Sequence, residues 1–246
     1  ELFDDSLVGS PHVVIGQGSS PVYGIIPTNT TSGTHYRVRV VSSNPVVTGL
    51  DNNVDITIRA RRRFLGGDWA LASSWLDGIL PVANDNVVFD PPGGGQSMIS
   101  GNFTVFSLTL ATGDALEINS GASLTVTGNL NLDALQGSIQ GAGILKMAGS
   151  AAQVINVAAG TSLNNLLIDN AAGVTLASPD PLLVNGSLTF LNGNLNTGSS
   201  KLILPVDAIV TAGMGTGWVN GTLERKIPAV PPNPITGIVT PSGGAV

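Results

Sequence analysis

From Phe103 to Lys226 the chain is a succession of short apolar-polar alternations cut by Gly and Asn, and this constrains the fold most. Phe103–Leu110, Ala115–Ile118, Ser123–Val126, Asn129–Leu132, Gly143–Met147, Asn165–Ile168, Gly173–Leu176, Ser187–Phe190 and Lys201–Leu204 each run for about four to eight residues with strand periodicity. No stretch of helix length with a 3.6-residue period intervenes, so helix-linked parallel units are excluded. Echoes recur at irregular spacing: Gly101-Asn102-Phe103, Gly128-Asn129-Leu130 and Gly193-Asn194-Leu195, then Asn185-Gly186-Ser187-Leu188 and Asn220-Gly221-Thr222-Leu223. A stacked β-solenoid tolerates such irregularity, because corners vary while strands keep register. At roughly 20–25 residues per coil the stretch predicts about five or six coils. A sandwich or barrel of many short strands is the alternative, since Asn-Gly turns also close hairpins.

Composition agrees with an all-β chain. Charged residues are only 11% of 246, Gly supplies 32, and mean hydropathy is +0.32, which exclude a coiled coil and charge-driven disorder. Net charge is −6, so the chain as a whole has no basic footprint for nucleic acid. No apolar run approaches 18 residues, so no helical membrane insertion is expected. The absence of cysteine removes disulfides, thiolate metal sites and thiol nucleophiles. The chain opens at Glu1 without a signal-like stretch, as a mature or partial chain would.

Charge divides the sequence near residue 63. Six arginines face five acids up to that point, whereas four basic residues face eleven acids beyond it. In the first part, His35–Val41 and Val54–Ile58 alternate as half-buried strands around a loop holding Pro45 and Gly49. Sixty-three residues are short of the roughly 100 that a full sandwich needs. Between the two parts stand Trp69 and Trp75, which predict either a buried cap on the first coil or an exposed sugar-stacking pair. Beyond Ile227, Pro228, Pro231, Pro232 and Pro234 mark a tail or linker.

Candidate chemistry is sparse. Asp114, Glu117, Asp133 and Asp169 are the acids between Phe103 and Val174, and they reach one glycosidic bond only if their coils align them. No acidic pair adjoins beyond Asp4-Asp5, so no catalytic residue is assigned. Asp77, Asn84, Asp85, Asn86 and Asp90 crowd one loop with oxygen ligands suited to calcium, although such residues in turns commonly bond their own backbone. His12 and His35 lack a partner motif. Arg59 and Arg61–Arg63 form a basic cluster that either meets an acidic partner or solvates an interdomain link. The sequons at Asn29, Asn102, Asn185 and Asn220 are expected by chance in so Asn- and Thr-rich a chain.

Three places resemble large exported surface proteins of Bacteroidetes-type bacteria. Trp69-x5-Trp75-x2-Gly78-x2-Pro81-x3-Asp85-x-Val87-x-Phe89 is similar to the opening of their β-helical modules. Asn164–Asn170 with Gly173–Leu176 and Val184–Leu188 resembles their coil consensus, and Trp218–Lys226 resembles their closing segment. Tyr36–Ile58 resembles the end of an immunoglobulin-like module. The combined expectation is an immunoglobulin-like β unit over 1–63, a capped right-handed parallel β-solenoid (β-helix) over 64–227, and a Pro/Gly-rich tail over 228–246. The resemblance implies an extracellular or cell-surface structural and adhesive module without a cofactor. Its partners would be copies of itself, adjoining modules of a longer chain or surface glycans. A carbohydrate-active β-helix enzyme and a carbohydrate-binding module are the alternatives.

Overall fold

A computed structural model describes residues 1–89, 97–110, 115–132, 137–213 and 216–228. The molecule is all-β, with 53% of residues in strands and a parallel β-solenoid of about seven turns. Its single helical element among the described residues is a 3-10 turn at Ala72–Ser74.

The N-terminal unit is antiparallel. Strand β2 (Gly33–Ser43) turns at Asn44-Pro45 into β3 (Val46–Asp51), and it also pairs with β1 (Leu2–Asp4) and β4 (Ile56–Ile58). The two strands expected here do pair, and the loop between them is itself a strand. Its core is thin. Leu2 and Tyr36 are buried, whereas Val40, apolar in the same alternation as Tyr36, is exposed.

Three flat faces make the solenoid, each a ladder of parallel strands. The first face stacks β5 (Arg61–Phe64), β7 (Asn86–Phe89), β10 (Ser107–Leu110), β13 (Leu130–Leu132), β16 (Gln153–Val157) and β18 (Val174–Leu176). It continues through the first residues of β20 (Leu195–Leu204) and of β22 (Val219–Arg225). On the second face lie β6 (Gly67–Asp68), β8 (Ser97–Ile99), β11 (Ala115–Ile118) and β14 (Ser138–Gln140), then the starts of β17 (Ser162–Asp169) and β19 (Leu182–Asn192). The ends of β20 and β22 complete it. The third face holds β9 (Asn102–Val105), β12 (Ser123–Val126), β15 (Ile144–Met147), the ends of β17 and β19, and β21 (Ile209–Ala212).

Coil length varies while register holds. Asn86 and Ser107 are 21 residues apart, Thr109 and Asn131 22, Asn131 and Asn156 25, and Asn196 and Asn220 24. The slack is taken up at the corners, so equivalent side chains stack in columns. Inside the third face run Phe103–Leu124–Leu145–Leu166–Leu188–Val210 and Val105–Val126–Met147–Ile168–Phe190–Ala212. Period-2 alternation in Ser-Leu-Thr-Val at β12 puts Leu124 and Val126 inside and Ser123 and Thr125 outside. Each fully buried aliphatic side chain contributes about 1.5–3 kcal/mol. One corner is polar and satisfied: buried Gln153 donates through Nε2 to the carbonyls of Val126 and Gly128, and its Oε1 accepts from Gly149 N and Asn170 Nδ2, both at 2.8 Å.

The stretch around the tryptophans is more than a lid. Strands β5 to β8 are rungs of the solenoid in their own right, so the ladder begins well before Phe103. The edge of β5 turned away from β7 is closed by an antiparallel bridge between Phe64 and Trp75, with Leu65 N donating to Ser74 O and Leu76 N to Arg63 O.

The far end differs. Among the described residues, strands β21 and β22 have partners on one side only. Val210 and Leu223 stand in inward columns yet are 47% and 46% exposed, whereas Leu188 and Leu202, one rung below, are fully buried.

Candidate functional site

Asp77, Asp85 and Arg62 meet at the N-terminal end. Residues 61–64 read Arg-Arg-Arg-Phe, and strand alternation turns Arg61 and Arg63 outward while Arg62 and Phe64 point in. Arg62 therefore begins the inward column that continues as Val87 and Leu108, and it is 4% exposed. A guanidinium at that depth needs compensating anions. Its Nε donates to Asp85 Oδ2 at 3.2 Å, and Nη1 donates to Asp77 Oδ2. Burial pulls the Arg62 pKa down, but the hydrogen bonds and charges of Asp77 and Asp85 outweigh it and hold it above the ordinary arginine value.

Asp85 is fully buried and serves three donors. Besides Arg62, it accepts from Val82 N at 3.0 Å and from the Ser32 hydroxyl. Ser32 Oγ accepts in turn from Ala60 N at 2.5 Å. Ser32 belongs to the N-terminal unit, so this carboxylate fastens that unit to the first coil. Asn86 N donating to Ala60 O and Arg59 lying 3.7 Å over the Phe106 ring add to the junction. Asp77 and Asp85, weighed in the sequence as calcium ligands against bonding to their own backbone, are thus turned to protein donors, Asp77 also accepting from Ile79 N at 3.2 Å. Asp90 lies outside the described residues. Among the described residues no group of three or more His, Cys, Asp or Glu is placed to hold a metal ion.

Trp69 and Trp75 are 0% and 2% exposed. They pack edge to face at 4.8 Å around Phe64, and Trp75 Nε1 donates to Trp69 O at 3.0 Å. Neither ring offers a face to a sugar. The pair plugs the first coil, and the sugar-stacking expectation for these two residues gives way to packing.

Among the expected hydrolytic acids, Asp114 and Asp133 lie outside the described residues. Glu117 stands on the second face in register with Met98 and Gln140, while Asp169 ends the third-face part of β17. These two do not converge. Asp169 instead bonds Lys146 Nζ and Asn192 Nδ2, both at 2.6 Å, which hold its carboxyl below the usual range.

The outside of the first face carries side-chain ladders of its own. Ser107 donates to Asn86 at 2.6 Å, Asn156 to Asn131 at 2.6 Å, and Asn220 to Asn196 at 2.8 Å. At its C-terminal end stands Trp218, 59% exposed, in the segment Trp218–Lys226 that resembles a closing one. The signal available in the sequence was its position, two residues before Asn220 and hence on the same side of a strand. Compared with protein-family models, curated proteins and solved structures, the chain matches none.

Proposed function

We propose that this chain is a non-enzymatic extracellular structural and adhesive module, a stiff β-solenoid that carries its N-terminal β unit at a fixed orientation and serves surface display or assembly. The observation that supports it best is mechanical continuity. Parallel ladders of the described strands run through about seven turns, a length of roughly 34 Å at about 4.8 Å per turn. The same continuity extends into the N-terminal unit through Ser32, Asp85 and Arg62. On this reading the four antiparallel strands are the remnant or end of an immunoglobulin-like fold, in keeping with the resemblance of Tyr36–Ile58. The separation of Glu117 and Asp169 on different faces favours this reading over the hydrolytic one.

A distance measurement tests it. The chain has no cysteine, so Val47→Cys and Val206→Cys, both at exposed positions, accept spin labels selectively. A single narrow distance distribution by double electron-electron resonance is the expected result. A broad distribution would show a loose joint between the unit and the solenoid and would overturn the stiff-spacer reading.

A further inference from the structure

We infer that the C-terminal part of the first face is a binding site for a neutral saccharide, with Trp218 as its platform. The inference deepens the adhesive half of the proposed function and does not depend on the stiffness of the solenoid.

Two outward columns frame the site. Register pairs Val174 with Leu195 and Leu195 with Val219, so the residues flanking these stack as well. Gly173, Asn194 and Trp218 form one column; Thr175, Asn196 and Asn220 form the other. Rungs are roughly 4.8 Å apart, and the two columns are roughly 6.7 Å apart along the strand. Gly173 leaves the floor beneath Asn194 and Trp218 without a side chain.

The chemistry of this surface selects its ligand. Neither column contains a charged side chain, which gives no reason to prefer an anionic sugar or a peptide of either charge. Asn220 Nδ2 donates to Asn196 Oδ1, and Asn194 Oδ1 accepts from Trp218 N at 3.2 Å. Those bonds orient the amides and leave Asn194 Nδ2, Asn196 Nδ2 and Asn220 Oδ1 without a hydrogen-bond partner among the described residues. Side-chain amides offer both donors and acceptors, as a row of hydroxyls requires. An exposed indole beside them supplies a flat apolar face matching the C–H face of a pyranose ring. Trp69 and Trp75 are buried, so of the three tryptophans only Trp218 is available for this.

That asymmetry also provides the assay. Tryptophan emission of the full chain is followed while it is titrated with cellohexaose, xylohexaose and mannohexaose, with oligogalacturonate as the charged control. The expected result is a saturable change with at least one neutral oligosaccharide and not with the galacturonate. Because Trp218→Ala removes the reporter as well as the platform, affinities of the variants are measured by calorimetry. Trp218→Ala should weaken binding at least about tenfold, Trp218→Phe much less, and Asn196→Ala should weaken it with the fluorophore intact. Circular dichroism confirms that the variants fold. No binding by any of the three neutral probes, equal binding of the charged control, or unchanged affinity of Trp218→Ala overturns the inference. So does sedimentation showing a wild-type dimer that Trp218→Ala dissociates, which would make the face a contact between copies. A negative binding result alongside a narrow spin-label distribution would remove the saccharide site and leave the stiff spacer standing.

Discussion

Replacing Asp85 by Asn tests whether the N-terminal end is held by charge or by packing. The substitution keeps the shape and at most one strong acceptor, but it removes the charge opposite Arg62, itself 4% exposed. Breaking one side of a buried ion pair costs about 3–5 kcal/mol. Asp77, which is partly exposed, still holds Nη1, so a loss near the low end, about 3 kcal/mol, is expected. Arg62→Leu with Asp85→Leu is the informative companion. Leucine at 62 extends the column of Val87 and Leu108, and exchanging a buried pair for apolar residues is often neutral or stabilising. Ser32 and Val82 lose an acceptor in the double variant, so recovery is partial, with a favourable coupling of roughly 1–3 kcal/mol. Urea unfolding should be followed by tryptophan emission in a Trp218→Phe background, which reports Trp69 and Trp75, and in parallel by far-ultraviolet circular dichroism. In a stacked array the damaged end opens first, so the emission transition should move to lower urea than the circular dichroism transition. An unchanged midpoint for Asp85→Asn, or single losses that simply add in the double variant, would refute the reasoning.

Two further outcomes follow from the other corners of the fold. Lys201 and Lys226 hold the Glu224 carboxyl at about 2, below its ordinary 4.5, so its contribution to the last rung is present above about 4.5 and is lost as pH falls toward 2; amide protection in β22, taken relative to the intrinsic exchange rate at each pH, should fall over that window, and protection independent of pH there would contradict the pairing. Gly121 and Gly193 both sit at positive φ, +79° and +78°, but a Cβ at Gly121 meets open space while one at Gly193 lies 1.7 Å from Asn170 O; Gly121→Ala should cost about 1–2 kcal/mol and Gly193→Ala clearly more, by thermal unfolding.

The solenoid was legible wherever inward and outward positions differ in chemistry. Ser-Leu-Thr-Val and Leu-Asn-Leu give the period of two directly, and the short lengths with Gly and Asn between them point to corners instead of helices. The same rule failed at Arg61–Phe64 because three identical residues hide the alternation. Arg62 stands in the sequence within a cluster that either meets an acidic partner or solvates an interdomain link, yet it heads an inward column at the first rung. From Gly67 to Phe89 the obstacle is different: polar loops obscure β6 and β7, whose place in the ladder depends on strands far along the chain. Trp69 and Trp75 were correctly paired with capping as one of two options, and burial decides between them. Trp218 is legible only through register: it flanks Val219, which stacks on inward Leu195 and Val174, and so stands on the outer side of the first face.

The unlike ends of the ladder bear on the order in which such a chain can acquire structure. The aromatic plug, the Arg62 pair and the antiparallel bridge to Trp75 all draw on residues 62–85, so the closed end is complete before most of the coils have been made. Each later turn then finds a finished edge to zip onto, about 21–25 residues behind it. A polypeptide emerging N-terminus first from a ribosome or a translocation pore would therefore fold in the direction of its delivery. Backward slippage would be opposed by every turn already laid down, so the growing stack would act as a ratchet on its own passage.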